Sequence, residues 1–247
     1  MSNKLSSSEK YLWHYIDNHM DIIPNISIVK LSELSSVSTS TIVRAMKKKG
    51  YTGYTDFKQT ILKENNSIKK FPNFKNMSQE IQDVALKNQY EVTNTIQKIN
   101  MSDIEDAVQK IYSSKKVYIF ARGFSEMVAR EMQVKFQLLY KNFEFHNDPN
   151  IITTITNRIN KNDTIIYISL NGNTKELVES AQIAHQKNIF TIVITTNDNG
   201  DILKYSDLAI VGFKQDKSYF PAFEVHSRLP LEVIGRILLD SYAIKIR

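Results

Sequence analysis

Residues 164–174, which read TIIYISLNGNT, combine a buried strand with a loop rich in hydroxyl and amide side chains. The apolar run 165–168 has no polar alternation, which is typical of a parallel strand covered by helices on both faces. The run ends at Ser169, and a helical pattern begins at Lys175 with Thr174 at the N-cap position. Hydroxyl groups, backbone N–H groups and a helix N-terminus therefore converge where a strand ends. This combination is suited to binding a phosphate group.

Two other predicted strand ends are also polar, at residues 122–125 (RGFS) and 195–199 (TTNDN). Glu144 and Asp148 lie at a tolerable distance from the first of them for a ribose contact. However, ARGFSE lacks the second and third glycines of the dinucleotide fingerprint, and the chain has no GKS or GKT phosphate loop. The sequence therefore does not favour a nicotinamide cofactor, and we expect no cofactor.

The second part of the chain alternates between strand and helix patterns. Strands are predicted at 117–121, 143–146, 165–169, 189–195 and 208–212, and helices at 125–140, 150–158, 175–186 and about 225–244. Two further helices, at 79–100 and at 102–112 with Ser102 as its cap, come before them. Repeated βα units indicate an α/β, doubly wound parallel sheet with right-handed crossovers, in which ligands bind beyond the carboxyl ends of the strands.

The composition of the 247 residues, 42% hydrophobic and 23% charged, is ordinary for a soluble globular protein. No apolar run approaches the roughly 20 residues of a membrane span, and the N-terminus lacks the apolar core of a signal peptide. There are no cysteines, and the five histidines show no paired metal-ligand spacing. We therefore expect a cytoplasmic protein without a metal site, a disulfide or a thiol nucleophile.

The net charge of +6 is unevenly placed along the chain. Residues 1–70 hold eleven Lys and Arg against six Asp and Glu, a net of +5, which leaves 21 against 20, or +1, for the remainder. A basic N-terminal region joined to a nearly neutral larger one suggests a polyanionic partner for the first region.

Helical patterns at 6–20, 28–34 and 39–49 lie in this basic region, and Gly50 follows as a typical helix end. The last two are separated by only a few residues, with Val37 in the turn, which is typical of a helix-turn-helix unit. The second of these helices offers hydroxyl groups and cations that can reach base edges and phosphates. The candidate DNA contacts are Ser38, Thr39, Ser40, Thr41, Arg44, Lys47 and Lys48. The alternative is a helical hairpin that only packs against the larger domain.

A further helix is predicted at about 55–63, and the polar residues 64–78, which contain Pro72, are interpreted as a linker. This division gives a helix-turn-helix domain at 1–77 and a doubly wound domain at 79–247 that begins with a helix.

The N-terminal half resembles the DNA-binding domain of the RpiR/MurR family of bacterial transcription regulators. The resemblance covers SSSEK and IVKLSELSSVSTSTIVRAMKKKGYTGYTDFK, with the family pattern VS-x-ST-x-x-R at Val37, Ser38, Ser40, Thr41 and Arg44. Ser32 and Ser36 stand where the family usually has alanine and glycine. A positive φ at Ser36 would carry some strain.

Residues 105–245 resemble the sugar isomerase (SIS) domain, a phosphosugar-binding fold that follows the helix-turn-helix in that family. The G-x-G-x-S loop corresponds to residues 121–125 and the S-x-S-G-x-T loop to residues 169–174. Ala121, Asn171 and Gly200 depart from the usual glycine and serines. The resemblance implies that a phosphosugar is bound by Gly123, Ser125, Ser169, Asn171, Gly172, Asn173, Thr174 and Glu224.

The resemblance implies a DNA-binding regulator, expected to be a repressor of sugar-metabolism genes, that acts as a homodimer or homotetramer on palindromic DNA and responds to a sugar phosphate. One alternative is an aldose–ketose isomerase with Glu224 or His226 as general base. Another is a regulator whose SIS domain only dimerises. In the regulators, Glu224, Ser227 and Arg228 would bind sugar hydroxyls or stabilise a subunit interface, while capping of the last helix is the simpler role for Arg228.

Overall fold

The computed structural model describes residues 5–19, 22–23, 26–69, 78–216, 218–220 and 226–247. The chain divides into two compact units, Met1–Leu86 and Lys87–Arg247. The division falls inside a helix, whereas the sequence places the domain boundary near residue 78. None of the helices in the described ranges is long and apolar enough to cross a membrane.

Within the described residues, the first unit contains four complete α-helices and the start of a fifth. The four are α1 (Ser7–Asn18), α2 (Ile28–Ser35), α3 (Thr39–Lys48) and α4 (Tyr54–Lys69). Serine side chains cap the N-termini of the first three helices. Ser6, Ser27 and Ser38 each accept a hydrogen bond from the backbone N–H group three residues further on. At α1 the cap is reciprocal, since the Glu9 carboxylate accepts from the Ser6 N–H at 2.6 Å.

The turn between α2 and α3 has the predicted form. Ser36 adopts a left-handed conformation with φ of 53°, so a serine occupies a backbone position that favours glycine. Val37 is buried in a core with Leu12, Ile16 and Ile42. The helical packing of the predicted helix-turn-helix unit is therefore present.

The predicted linker begins too early, because α4 continues to Lys69. Residues 64–69 (ENNSIK) are mostly polar but contain no glycine or proline, and polar side chains alone do not end a helix. Residues 70–77, including Pro72, lie outside the described residues.

The second unit contains the rest of α5 (Gln79–Lys98), which begins in the first unit, and five further helices. These are α6 (Met101–Ser113), α7 (Ser125–Leu138), α8 (Pro149–Thr156), α9 (Lys175–Gln186) and α10 (Leu229–Lys245). The cap of α6 is Asn100, not the predicted Ser102, because the Asn100 Oδ1 accepts from the Ser102 N–H. The last helix starts at Leu229, not near Val225, with Pro230 in its first turn.

One parallel sheet organises this unit. Its strands are β1 (Val117–Ala121), β2 (Phe143–His146), β3 (Thr164–Ile168), β4 (Phe190–Thr195) and β5 (Leu208–Val211), in the spatial order β2-β1-β3-β4-β5. Helices α6, α7 and α10 cover one face and helices α8 and α9 the other, each with its own apolar core. The predicted doubly wound fold is confirmed, and the strand order reverses between β1 and β3. That is the position where ligands bind in such sheets.

Candidate functional sites

The exposed start of α3 carries the predicted DNA contacts. Ser38 Oγ accepts from the Thr41 N–H at 3.3 Å and lies 2.9 Å from Thr41 Oγ1. The Arg44 guanidinium donates to Thr41 Oγ1 at 3.1 Å. Thr39 and Ser40 are exposed beside them. The structure thus brings the predicted hydroxyls and the arginine together on one solvent-facing surface, which has the composition needed to contact base edges and phosphates.

The basic residues at the end of α3 are not equivalent. Lys47 is exposed, as a DNA backbone contact requires. Lys48 instead places its ammonium 2.7 Å from the Glu9 carboxylate of α1, and that carboxylate is only 4% exposed. The hydrogen bond from Lys48 is the main reason why the pKa of Glu9 lies below its ordinary value. Lys48 therefore joins α1 to α3, a role that the sequence prediction of a DNA contact missed.

The second candidate site is the predicted phosphosugar site, at the loops that follow β1 and β3. The loop after β1 lies on one side of it. Gly123 has φ of +58°, and its N–H donates to the Glu126 carboxylate at 2.9 Å. Ser125, the first residue of α7, is buried. The Arg122 guanidinium is directed away from β3, because it donates to the backbone carbonyl of Asn147 after β2.

The loop after β3 lies on the other side of this site. Ser169 is buried, and its Oγ accepts from the Gly172 N–H at 3.2 Å and lies 3.4 Å from Thr174 Oγ1. Thr174 occupies the N-cap position of α9 but makes no side-chain cap. The first N–H groups of α9 therefore lack the hydroxyl acceptor that a capped helix has, and a phosphate oxygen can take that place.

Gly172 and Gly200 lie back to back behind this loop. Gly172 has φ of +69°, and a Cβ placed on Gly200 would lie 2.9 Å from the Gly172 Cα and 3.1 Å from the Asn171 carbonyl oxygen. No side chain fits between the two backbones without moving one of them. This contact explains why glycine stands at position 200, where the sequence comparison with the family led us to expect serine.

The exposed amides of the loop are held by neighbouring segments. Asn171 accepts at its backbone oxygen from Asn197 at 2.8 Å and at its side-chain Oδ1 from the Lys214 ammonium at 3.1 Å. The Asn173 Oδ1 accepts from the Asp201 N–H at 2.8 Å. Asn197 and Lys214 were not among the predicted site residues. Lys214 lies 43 residues from its partner, and no local pattern marks it.

The segment before α10 contributes to the same edge. Glu224, the predicted sugar contact and candidate base, lies outside the described residues. Ser227 Oγ accepts from the Leu229 N–H, the first N–H of α10, at 3.1 Å. The Arg228 guanidinium lies 5.6 Å from the centre of the Phe124 ring and donates to the His226 carbonyl. Arg228 is therefore placed beside the loop that carries Ser125.

Two family models match the chain, in the order that the fold shows. The helix-turn-helix domain of the rpiR family matches residues 1–67, and the SIS domain matches residues 110–224. The chain belongs to the RpiR family of helix-turn-helix transcription regulators.

Two other proteins resemble this one along most of its length, one in sequence and one in fold. An HTH-type transcriptional regulator of Clostridium perfringens, itself uncharacterised, is 28% identical over 92% of this chain and 84% of its own. The NanR protein of Vibrio vulnificus, solved in complex with ManNAc-6P, superposes with a TM-score of 0.62 over 97% of this chain and 87% of its own, at 19% identity. At that identity the comparison shows a shared fold.

The SIS fold of this RpiR regulator also occurs in proteins described as enzymes. A candidate sugar-phosphate isomerase of Listeria monocytogenes superposes over 69% of this chain and 93% of its own, with a TM-score of 0.59 and 18% identity. The fold of the second unit is therefore compatible with both sensing and isomerisation, and the site residues must decide between them.

Proposed function

We propose that this RpiR-family regulator binds operator DNA through α3 and binds a sugar phosphate between the loops that follow β1 and β3. The observation that carries the effector site is the arrangement around Ser169. A buried hydroxyl, a glycine with positive φ and a helix N-terminus without a side-chain cap meet at the point where the strand order reverses. The NanR complex with ManNAc-6P supports a phosphosugar as the ligand class.

In this proposal the regulator is a repressor in the cytoplasm and acts on genes of sugar metabolism. A dimer would present two copies of α3 about 34–36 Å apart, which matches half-sites one DNA turn apart in a palindromic operator. The effector changes DNA binding only if it binds the DNA-competent and DNA-incompetent states with different affinity.

We further propose that the protein is not an enzyme. Aldose–ketose isomerisation needs a general base beside the acidic C–H of the sugar. The helix-turn-helix match at residues 1–67 and a relative named as a transcriptional regulator support a role other than catalysis. Turnover of aldose phosphates by the purified chain that is lost in Glu224→Gln would contradict this part of the proposal.

A ligand screen on the full chain tests the effector site. Hexose 6-phosphates and N-acetylhexosamine 6-phosphates are added at increasing concentration while thermal unfolding is followed. A ligand at about 100 times its dissociation constant should stabilise the folded protein by roughly 2.7 kcal/mol. The same sugars without phosphate serve as controls and should give little stabilisation. Absence of stabilisation by every sugar phosphate would leave the SIS domain as a module that only dimerises.

A further inference from the structure

The Ser169–Thr174 loop is met by a lysine from a distant part of the chain. We propose that Lys214 is the cation that binds the phosphate group of the effector, and that α5 holds the lysine in place. This inference rests on the proposed effector site and adds a residue to it.

Lys214 reaches the loop from the segment that follows β5. Its ammonium donates to Asn171 Oδ1 at 3.1 Å, and the side chain is partly buried. β5 is the edge strand of the sheet and β4 separates it from β3. Because neighbouring strands lie about 4.7–4.9 Å apart, the lysine crosses the carboxyl end of β4 to reach the loop.

The backbone on both sides of Lys214 is fixed. Thr95 of α5 is fully buried, and its Oγ1 accepts from the Phe213 N–H at 3.0 Å and donates to the Phe213 carbonyl at 3.3 Å. Glu91, one turn earlier and also fully buried, accepts from the Gln215 N–H at 3.1 Å. Two buried polar side chains of one helix therefore hold the residues on either side of Lys214, which limits the directions in which the lysine can extend.

A cation at the loop would strengthen phosphate binding. The predicted phosphate contacts are hydroxyls, amides and backbone N–H groups, all neutral, whereas a phosphate monoester carries about −1.5 to −2 charges at pH 7. Hydrogen bonds between charged groups are roughly twice as strong as those between neutral groups. Lys214 supplies the missing charge at the loop itself.

Two neighbouring cations are directed elsewhere, and a third lies on the β1 side of the site. Arg122 donates to the Asn147 carbonyl on the β2 side, and Lys175 extends along α9 to within 3.8 Å of Glu179. Arg228 lies against the Phe124 ring. Within the part of the chain that the structure describes, the Lys214 ammonium is the charged nitrogen that donates a hydrogen bond to the Ser169–Thr174 loop.

The hydrogen bond between Lys214 and Asn171 also accounts for the asparagine at position 171, where the family loop has its second serine. The side chain of asparagine is longer than that of serine and its carbonyl oxygen reaches the Lys214 ammonium. The departure from the family pattern therefore exchanges a neutral hydroxyl contact for a site that keeps a lysine in position.

Calorimetric titration of the full chain tests the inference, with the sugar phosphate that stabilises the wild type most as the probe. Lys214→Ala should raise the Kd roughly 10- to 100-fold and reduce the salt dependence of binding. Lys214→Arg, which keeps the charge, should bind within a few-fold of wild type. Lys161→Ala removes the same charge from an exposed position before β3 and should leave the Kd unchanged. Equal melting temperatures without ligand will show that the variants are folded.

The outcomes separate the two proposals. If the wild type binds a probe and Lys214→Ala binds it within about twofold, the role of Lys214 is wrong while the effector site stands. If Lys214→Arg is as weak as Lys214→Ala, the charge is not what the site uses and the inference is again overturned. If no sugar phosphate binds the wild type, the effector site fails and the role of Lys214 fails with it.

Discussion

The start of α3 and the start of α9 are built from similar residues, but only the start of α3 has a side chain that accepts a hydrogen bond from the helix N-terminus. Each is rich in hydroxyl groups, and each comes shortly after a residue with positive φ, Ser36 in one and Gly172 in the other. At α3, Ser38 caps the helix, because its Oγ accepts from the Thr41 N–H. At α9, Thr174 provides no such cap.

The two starts also differ in exposure. Ser38 and Arg44 lie on an outward-facing surface, whereas Ser169 is buried behind the α9 loop. A capped, exposed helix start suits contact with the edges of a DNA groove, and an uncapped helix start beside a buried hydroxyl suits a small anion. Residue type alone does not separate a surface suited to DNA from a site suited to an anion. The two helix starts differ instead in the side-chain cap and in the burial of the hydroxyl groups.

Replacing Arg44 tests the α3 side of this comparison most strongly. Arg44→Ala should reduce the affinity for operator DNA by about 1–3 kcal/mol, because a guanidinium contact to a base edge is lost, and should affect random DNA much less. Fluorescence anisotropy with both DNAs measures the difference. Lys10→Ala, on the exposed surface of α1, is the matched control for charge. Equal losses on operator and random DNA would show that Arg44 contacts only the DNA backbone.

Replacing Gly200 tests its close packing against Gly172 of the Ser169–Thr174 loop. Gly200→Ser should lower the free energy of unfolding of the second unit by about 1–3 kcal/mol, because the new Cβ meets the Gly172 backbone. Urea unfolding followed by circular dichroism measures this change. Gly53→Ala is the control, since a Cβ at Gly53 meets no atom within 4 Å. Wild-type stability of Gly200→Ser would mean that the two loops are further apart than described.

Separate replacement of Lys47 and Lys48 distinguishes an effect on DNA binding from an effect on the stability of the first unit. Lys47→Ala should weaken binding to all DNA and reduce the slope of log K against log salt by about one, without changing stability. Lys48→Ala should lower the melting temperature of the first unit, because it leaves the Glu9 carboxylate without its ammonium partner. Trp13, the single tryptophan, lies in this unit and reports its unfolding by fluorescence.

The pH dependence of the Lys48 effect follows from the lowered pKa of Glu9. A carboxylate with a lowered pKa in the folded state stabilises the fold above its ordinary pKa of about 4.3, and this contribution is lost as the pH falls through the folded value. The difference in melting temperature between wild type and Lys48→Ala should therefore shrink from pH 7 towards pH 3. A constant difference would show that Lys48 acts through packing of its hydrocarbon chain.

The sheet could be predicted from the sequence, since the strand bounds in the structure differ by at most one residue from the predicted ones. The reason is local: each strand is a short apolar run between polar stretches. The capping serines of α2 and α3, Ser27 and Ser38, are local signals of the same kind. These features depend on neighbours within a few residues.

The features that the sequence did not predict depend on distant contacts. Lys48 pairs with a residue 39 positions earlier, and Lys214 bonds to one 43 positions earlier, so neither role is visible in a sequence window. The glycine at position 200 is explained by its close contact with the backbone of Gly172, 28 residues earlier in the chain. The early linker boundary failed because polarity was interpreted as a break where α4 has no breaking residue.

In the proposed function, a sugar phosphate bound at the Ser169–Thr174 loop changes DNA binding. Fluorescence anisotropy of labelled operator DNA, titrated with the full chain, measures this change. The titration is made with and without the stabilising sugar phosphate, for wild type and for Ser169→Ala. The ligand should shift the apparent DNA affinity of wild type by about 5- to 150-fold, whereas Ser169→Ala should bind DNA normally and not respond to the same ligand concentration. Unchanged DNA affinity of wild type in the presence of bound ligand would contradict the proposed function.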